Sequence, residues 1–421
     1  MAGGGGETIA RGVPGTWKQS VRKRPVRHPT AMEGQPLRTL RMGFAVAATA
    51  AILFGACSSA ATTAPAASAA APASAAAPAS AAAPASAAAP ASAAAVVASP
   101  TASCATPDPT LTVGLVTDVG GLNDKSFNHL AYLGLQQAQC QLGATVDVIQ
   151  SSEQSQYVPN LTTFAQKGDK LVIAVGFLMA NAVYTVATQY PNVKFAAIDT
   201  APADAKGNTV NLPNVANLFF HEQESGYTVG YLAGLMEKGK IGAATSNTIS
   251  YMGGLAIPPV DRYIAGYIAG AKAADPSITI LGGYSQSFTD QTIGKSIGLN
   301  HISRGSTILF QVAGSSGLGY LQAAVDKGVY GIGVDADQNY VAPATIITSA
   351  IKKVDVAVFL TIQAVKNGTY KGGDNEFSLQ NDATGFAPPN SVVPADIVSQ
   401  VQAVADQIKS GAIVPPTTIP K

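Results

Sequence analysis

Short, mostly apolar runs recur between residues 111 and 334, and most are followed by an amphipathic stretch long enough for a helix. The runs are Leu111–Thr117, Thr145–Ile149, Leu171–Val175, Lys194–Ile198, Lys240–Ala244, Ile278–Leu281, Thr307–Gln311 and Gly331–Val334. The helix-length stretches are Ser126–Gln141, Tyr157–Gln166, Ala180–Gln189, Glu224–Glu237, Asp261–Ala273, Thr289–His301 and Leu318–Lys327. Strands that are apolar on both faces and separated by helices belong in parallel sheets covered on both sides. Eight such units allow one closed barrel or two doubly wound sheets. Asn214–Phe220 follows the fourth unit with no helix of its own, and it reads as a strand crossing between two lobes.

The chain before about residue 108 follows different rules. From Met32 to Cys57 it has a short basic stretch (Arg38, Arg41), an apolar run Met42–Phe54 and a small-residue approach to cysteine, the pattern of a bacterial lipoprotein signal. The apolar run is shorter than the roughly 20 residues a membrane span needs, so Cys57 is expected to be lipidated and the protein anchored, not spanning. Residues 1–56 are then the signal, with Met32 a candidate start. Residues 57–108 form a tether in which Pro72, Pro78, Pro84 and Pro90 recur every six residues among Ala and Ser. Proline at that interval removes donors and clashes with each preceding turn, leaving an extended, partly polyproline segment.

Charge narrows the partners. The whole chain carries 26 basic and 25 acidic residues; eight of the former and two of the latter precede Cys57, so the remainder has 18 against 23, a net −5. A mildly acidic domain is a poor match for nucleic acid or an anionic lipid surface. The three cysteines, Cys57, Cys104 and Cys140, have no metal-ligand spacing. Outside the cytoplasm thiols oxidise. A strand of about seven residues and a helix of about sixteen are each roughly 23 to 24 Å long, so the helix end returns to the strand start and a Cys104–Cys140 disulfide is reasonable.

Doubly wound sheets bind ligands at the carboxyl ends of their strands. There the sequence places Asp118 with the loop Gly120–Asn128, Asp199, and Asp335 with Asp337. Each aspartate alone is as readily a helix cap. Together, on both halves of the chain, they point to a polar ligand held between lobes. No enzyme reading survives: Gly314-Ser-Ser-Gly-Leu-Gly319 lacks the dinucleotide-loop spacing, His221-Glu-Gln-Glu224 lacks a second histidine, and Asp335 and Asp337 have no catalytic partner beside them.

A series of motifs in register sharpens this. Asn123-Asp-Lys-Ser-Phe-Asn128, Tyr190–Phe195 with Ile198-Asp199, Asn214–Asn217 followed by Gly226–Gly234, Gly253-Gly254 with Gly266–Gly270, and Gly333–Gln338 followed by Thr348–Lys352 resemble the basic membrane protein family over Leu111 to about Ala412. These are substrate-binding lipoproteins of ABC importers, and the best understood members bind purine nucleosides. The resemblance implies an α/β, type I periplasmic-binding-protein fold: two doubly wound parallel-sheet lobes joined by a three-segment hinge. Lobe one would comprise 109–217 plus 350–379, and lobe two 218–349 plus 380–421. It further implies Phe127 as the lobe-one stacking ring, with Asn123 and Asp124 on the same loop, Asp118 and Asp199 as polar contacts, and Phe288 as the second ring with Tyr284 the competitor. Gly314 would bring backbone to the ligand, Asp335 would accept ribose hydroxyls, and Lys352 would close the polar ring near the hinge. Tyr263 and Tyr267 stand where the family often has phenylalanine. The expected partners are a nucleoside, a permease and an ATPase subunit, with the membrane reached through the lipid and the protein itself a monomer; no cofactor is implied. The rival readings are a receptor for a sugar or other small polar solute on the same fold, and a ligand-sensing lipoprotein, which fold alone does not separate.

Overall fold

The computed structural model describes residues 104–420, and in them the apolar runs become strands of two six-stranded sheets. Cys57 and the proline-punctuated tract up to residue 103 lie outside the described residues. The chain first builds β1 (Asp108–Thr117), α1 (Phe127–Leu142), β2 (Ala144–Gln150), α2 (Tyr157–Lys167), β3 (Leu171–Val175), α3 (Ala180–Gln189), β4 (Lys194–Ile198) and β5 (Val215–Phe220). It then passes into α4 (Glu222–Gly239), β6 (Thr248–Gly253), α5 (Pro258–Ala274), β7 (Thr279–Tyr284), α6 (Gln291–Ser303), β8 (Ile308–Val312), α7 (Gly314–Lys327), β9 (Tyr330–Asp335) and β10 (Ile346–Lys352). Finally come α8 (Val354–Lys366), β11 (Gly373–Phe377), β12 (Thr384–Phe386) and α9 (Ala395–Lys409).

The first sheet has the order β11-β5-β4-β3-β1-β2 and is parallel throughout. The second runs β12-β10-β9-β8-β6-β7, with β12 alone antiparallel to its neighbour. Burial on both faces explains the apolar runs. In β3, Leu171, Ile173 and Val175 join the core beneath α1 and α8, while Val172 and Ala174 join the core beneath α2 and α3.

The chain moves between lobes after β5, after β10 and after β11. The divisions read from sequence at 217 and 349 fall inside two of these strands. β5 stays in the first sheet through Phe220, paired with β11, and β10 stays in the second through Lys352, paired with β12. Return of α8 to lobe one is fixed by its packing on α1, where a Cβ at Gly134 would stand 2.3 Å from the Asp355 carbonyl oxygen.

One expected strand is absent. Lys240–Ala244 is a turn, because Lys240 ends α4 in the left-handed region at φ 51° and Gly242 follows at φ 58°. The strand is Thr248–Gly253 instead, interrupted in sequence by Ser250, whose buried hydroxyl meets Ser306 and Tyr320, each at 2.7 Å. The glycines of α4 and α5 are a contact surface: a Cβ at Gly230 would lie 2.1 Å from the Tyr267 carbonyl oxygen, and one at Gly270 2.0 Å from that of Tyr227. Gly230→Ala is therefore expected to lower stability by about 1 to 3 kcal/mol in a denaturant titration, since the helices must separate to admit the methyl. An unchanged midpoint would show that the helices give way freely.

Cys104 and Cys140 are joined by a disulfide, with Cα atoms 4.4 Å apart. The end of α1 does return to the start of β1, and the Ala105 N–H donates to the Cys140 carbonyl at 2.7 Å.

Candidate functional site

A cleft opens between the lobes at the carboxyl ends of the strands, where a doubly wound sheet leaves helix N-termini and loop backbone unpaired. Asp199 directly follows β4 and Asp335 ends β9, both with left-handed backbone, φ 67° and 59°, a conformation that costs a non-glycine residue about 1 to 3 kcal/mol. Both side chains line the cleft. Asp118 reaches it from the end of β1, and Gly176 at φ 120° makes room, since a Cβ there would stand 2.7 Å from Asp118 Oδ2.

The carboxylates are not equivalent. Asp118 Oδ1 accepts from Gly120 N–H and Asn128 Nδ2, both at 2.9 Å, and no described residue donates to its Oδ2. Burial pushes Asp118 up to about 6 against those two hydrogen bonds. Asp124 also touches the cleft, but it caps α1, accepting from the N–H groups of Ser126, Asn128 and His129 at 2.8 to 3.1 Å. Asp335 Oδ2 accepts from Ser126 Oγ at 2.6 Å and its Oδ1 from the Tyr263 hydroxyl at 2.9 Å.

Lys352, 1% exposed at the end of β10, is the centre of a buried charge network. Its Nζ donates to Asp199 Oδ2 at 2.6 Å and Glu222 Oε1 at 2.9 Å, and Arg262 Nε donates to Glu222 Oε2 at 2.6 Å. The ammonium lies 5.0 Å from the Phe127 ring centroid and 4.9 Å from that of Phe220. Burial pushes Lys352 down, but the carboxylates of Asp199, Glu222 and Asp335 together more than offset it, so it stays an ammonium. Burial raises Asp199 to about 7 against the pull of Lys352. Two buried acceptors of cleft-lining residues, Asp199 Oδ1 and Asn128 Oδ1, have no hydrogen-bond partner among the described residues. The Asn128 orientation is set by its Nδ2, which donates to both Asp118 and Asp124.

Of the residues singled out from sequence, Asp118, Asp124, Phe127, Asp199, Phe288, Gly314, Asp335 and Lys352 all line this one cleft. Asn123 does not: its side chain is exposed on the outside of the loop, because Asp124 draws the following backbone inward. Between the two candidate aromatics of lobe two, Phe288 lines the cleft against Gly254, where a Cβ would be 2.2 Å from the ring. Tyr284 instead packs on Gly253 and donates to Asp261 Oδ1 at 2.6 Å. Gly314 opens α7 at φ 53°, and a Cβ there would be 3.2 Å from the Phe288 carbonyl oxygen. No site role was assigned from sequence to Glu222, Arg262, Tyr263, Asn128 or Phe177, although Asn128 stands within a motif and Tyr263 at a position where the family often has phenylalanine. Glu222 was visible only as a member of a rejected zinc pattern, and its role depends on a lysine 130 residues away.

Comparison with known proteins agrees with this geometry. The family described as "ABC transporter substrate-binding protein PnrA-like" matches residues 111–418. An uncharacterized lipoprotein of Pyrococcus furiosus is 32% identical over 301 residues, covering 69% of this chain and 73% of its own. Basic membrane protein A1 of Borrelia garinii is 31% identical over 310 residues, covering 72% and 88%. The crystal structure of an ABC transporter solute-binding protein from Aeropyrum pernix superposes with a TM-score of 0.66 at 28% identity, covering 73% of this chain and 94% of that one. With two parallel-sheet lobes, three crossings and a lined cleft between them, the chain belongs to the basic membrane protein family of PnrA-like ABC transporter substrate-binding proteins.

Proposed function

We propose that this protein captures a nucleoside, most simply a purine nucleoside, between its lobes and delivers it to the permease of an ABC importer. The observation that carries the reading is the chemistry of one cleft: aromatic rings from opposite lobes, Phe127 and Phe288, share it with Asp199 Oδ1, Asn128 Oδ1 and Asp118 Oδ2, acceptors that no described residue engages. A nucleoside offers a flat base to the rings and hydroxyl donors to the acceptors. Asp118, Asp199 and Asp335 would hold ribose hydroxyls, Lys352 would fix Asp199 from behind, and Gly314 would let backbone approach the ligand. The outer-face location is read from Cys57: the signal-like segment before it and the lipoprotein naming of the Pyrococcus relative support a lipid anchor there, with the segment between Cys57 and the disulfide-fixed Cys104 as tether. The domain acts as a monomer and as a carrier, not a catalyst.

The test is a thermal-shift titration of the purified chain with adenosine, guanosine, inosine, uridine, free bases, ribose and glucose. Binding to the native state alone gives about 2.7 kcal/mol of stabilisation at a hundredfold excess over Kd. A purine nucleoside is expected to raise the melting temperature, and Phe127→Ala to weaken binding by about 1 to 3 kcal/mol, the worth of one stacked base. A shift with a sugar and none with any nucleoside overturns the nucleoside assignment and leaves the fold standing.

A further inference from the structure

Two loops of opposite lobes meet beside the cleft through two side chains that do not line it. On lobe one, Ser126 Oγ donates to Asp335 Oδ2 at 2.6 Å and lies 3.2 Å from the Val334 carbonyl oxygen. On lobe two, Gln338 Nε2 donates to the Lys125 carbonyl at 3.1 Å. Ser126 and Gln338 are both fully buried, and neither lines the cleft.

Each side is set in advance by its own lobe. The Asp124 carboxylate takes the N–H of Ser126 and caps α1, while Lys125 turns the loop with φ 58°. Gln338 Oε1 accepts from Gln311 Nε2 at 2.9 Å and Val334 N–H at 3.1 Å, and Asp335 Oδ1 accepts from Tyr263. What remains free on these preset groups is turned to the other lobe.

Position in the sheets makes the contact sensitive to closure. The loop after β1 is separated from the crossing strand β5 by β4 and β3, three strand spacings or roughly 14 Å. Rotating lobe one by about 20° about that crossing would carry Ser126 roughly 5 Å, beyond hydrogen-bonding reach. We propose that Ser126 and Gln338 are positioning residues that latch the closed form, setting how long a captured ligand is held without contacting it. The latch is made of protein groups alone, so it biases the free protein toward closure as well. The inference takes only its probe from the nucleoside reading.

The experiment uses the full chain, wild type and Ser126→Ala, with two readouts. One is the dissociation rate of inosine, expected to rise about 10-fold on loss of a hydrogen bond to a carboxylate. The other is hydrogen exchange, without ligand, of residues 254–260, which carry no latch group but hold cleft-lining Ile257, Pro259 and Val260; it is expected to accelerate. Unchanged exchange overturns the latch whatever the dissociation rate does, and so does faster exchange with an unchanged dissociation rate of bound inosine. If wild type binds no inosine, the nucleoside assignment falls and exchange alone decides the latch. If Ser126→Ala melts as an unfolded chain, Gln338→Glu carries the same readouts: it keeps the Oε1 acceptor and sets a carboxylate against the Lys125 carbonyl, and it must move them in the same direction.

Discussion

Replacing Lys352 by methionine is expected to destabilise the free protein by about 3 to 5 kcal/mol at pH 8, with a much smaller loss at pH 5.5. The methionine fills most of the lysine's volume, so the effect isolates the charge. Glu222 keeps Arg262 at 2.6 Å, but Asp199 loses its only hydrogen-bond donor among the described residues and is left as a carboxylate 6% exposed. A buried charge stripped of its partner costs far more than an exposed pair is worth. The pH dependence has a definite sign. Burial already raises Asp199 to about 7 in the presence of Lys352, and removal of the ammonium raises it further. At this carboxyl the native variant holds more proton than the unfolded chain between about pH 4 and its raised folded-state pKa, so over that window stability falls as pH rises, and above it the loss is complete. At pH 5.5 the carboxyl is protonated and needs no cation. Urea titrations at the two pH values decide the matter: a loss below about 1 kcal/mol at pH 8, or an equal loss at both, would mean the network is solvated and Lys352 holds nothing together.

That network shows where reading the sequence stops. What sequence reports well is local: β3 is buried on both faces and so has no polar residue, and α1 is amphipathic enough to be seen whole. The carboxylates at strand ends were also legible, because a doubly wound sheet dictates where its ligands go. Their division of labour was not. Asp118 and Asp124 are six residues apart on one loop, yet one keeps an oxygen free and the other spends both on the start of α1. Residue type does not distinguish them; the folded loop does, since Asp124 meets the N–H groups of Ser126, Asn128 and His129 while Asp118 meets only that of Gly120 and the Asn128 side-chain amide. Glu222, Arg262 and Lys352 come from three elements and acquire meaning only when the crossings bring them together. The misplaced sixth strand has a similar origin: Ser250 looks unsuited to a core until Ser306 and Tyr320 arrive to bond it. Tyr263, one of the two tyrosines standing where the family often has phenylalanine, is buried, and its hydroxyl is spent on Asp335, a partner 72 residues away.

Asp118→Asn should stabilise the empty protein at pH 8 by about 2 to 3 kcal/mol while weakening ligand binding. Burial raises the Asp118 carboxyl from its ordinary value of 3.8 to about 6, so the charged form is disfavoured in the folded state. Each unit of such a shift corresponds to about 1.4 kcal/mol. The native state takes up this proton more readily than the unfolded chain, so the penalty is absent below about pH 4, grows as pH rises to about 6 and is fully present above it. Asparagine keeps an Oδ1 for Gly120 N–H and Asn128 Nδ2 and places a neutral amide where Oδ2 faces the cleft. The difference between variant and wild type should therefore be near zero at pH 4 and reach its maximum by pH 7. Other groups titrate over the same range, but they titrate in both proteins and cancel. The acceptor that costs stability is the one offered to a ligand hydroxyl, which is why a protein selected for binding would keep it. A variant that is less stable than wild type at pH 8, or whose advantage is the same at pH 4, would show that Asp118 is adequately satisfied by its own lobe and is not held in readiness for a ligand.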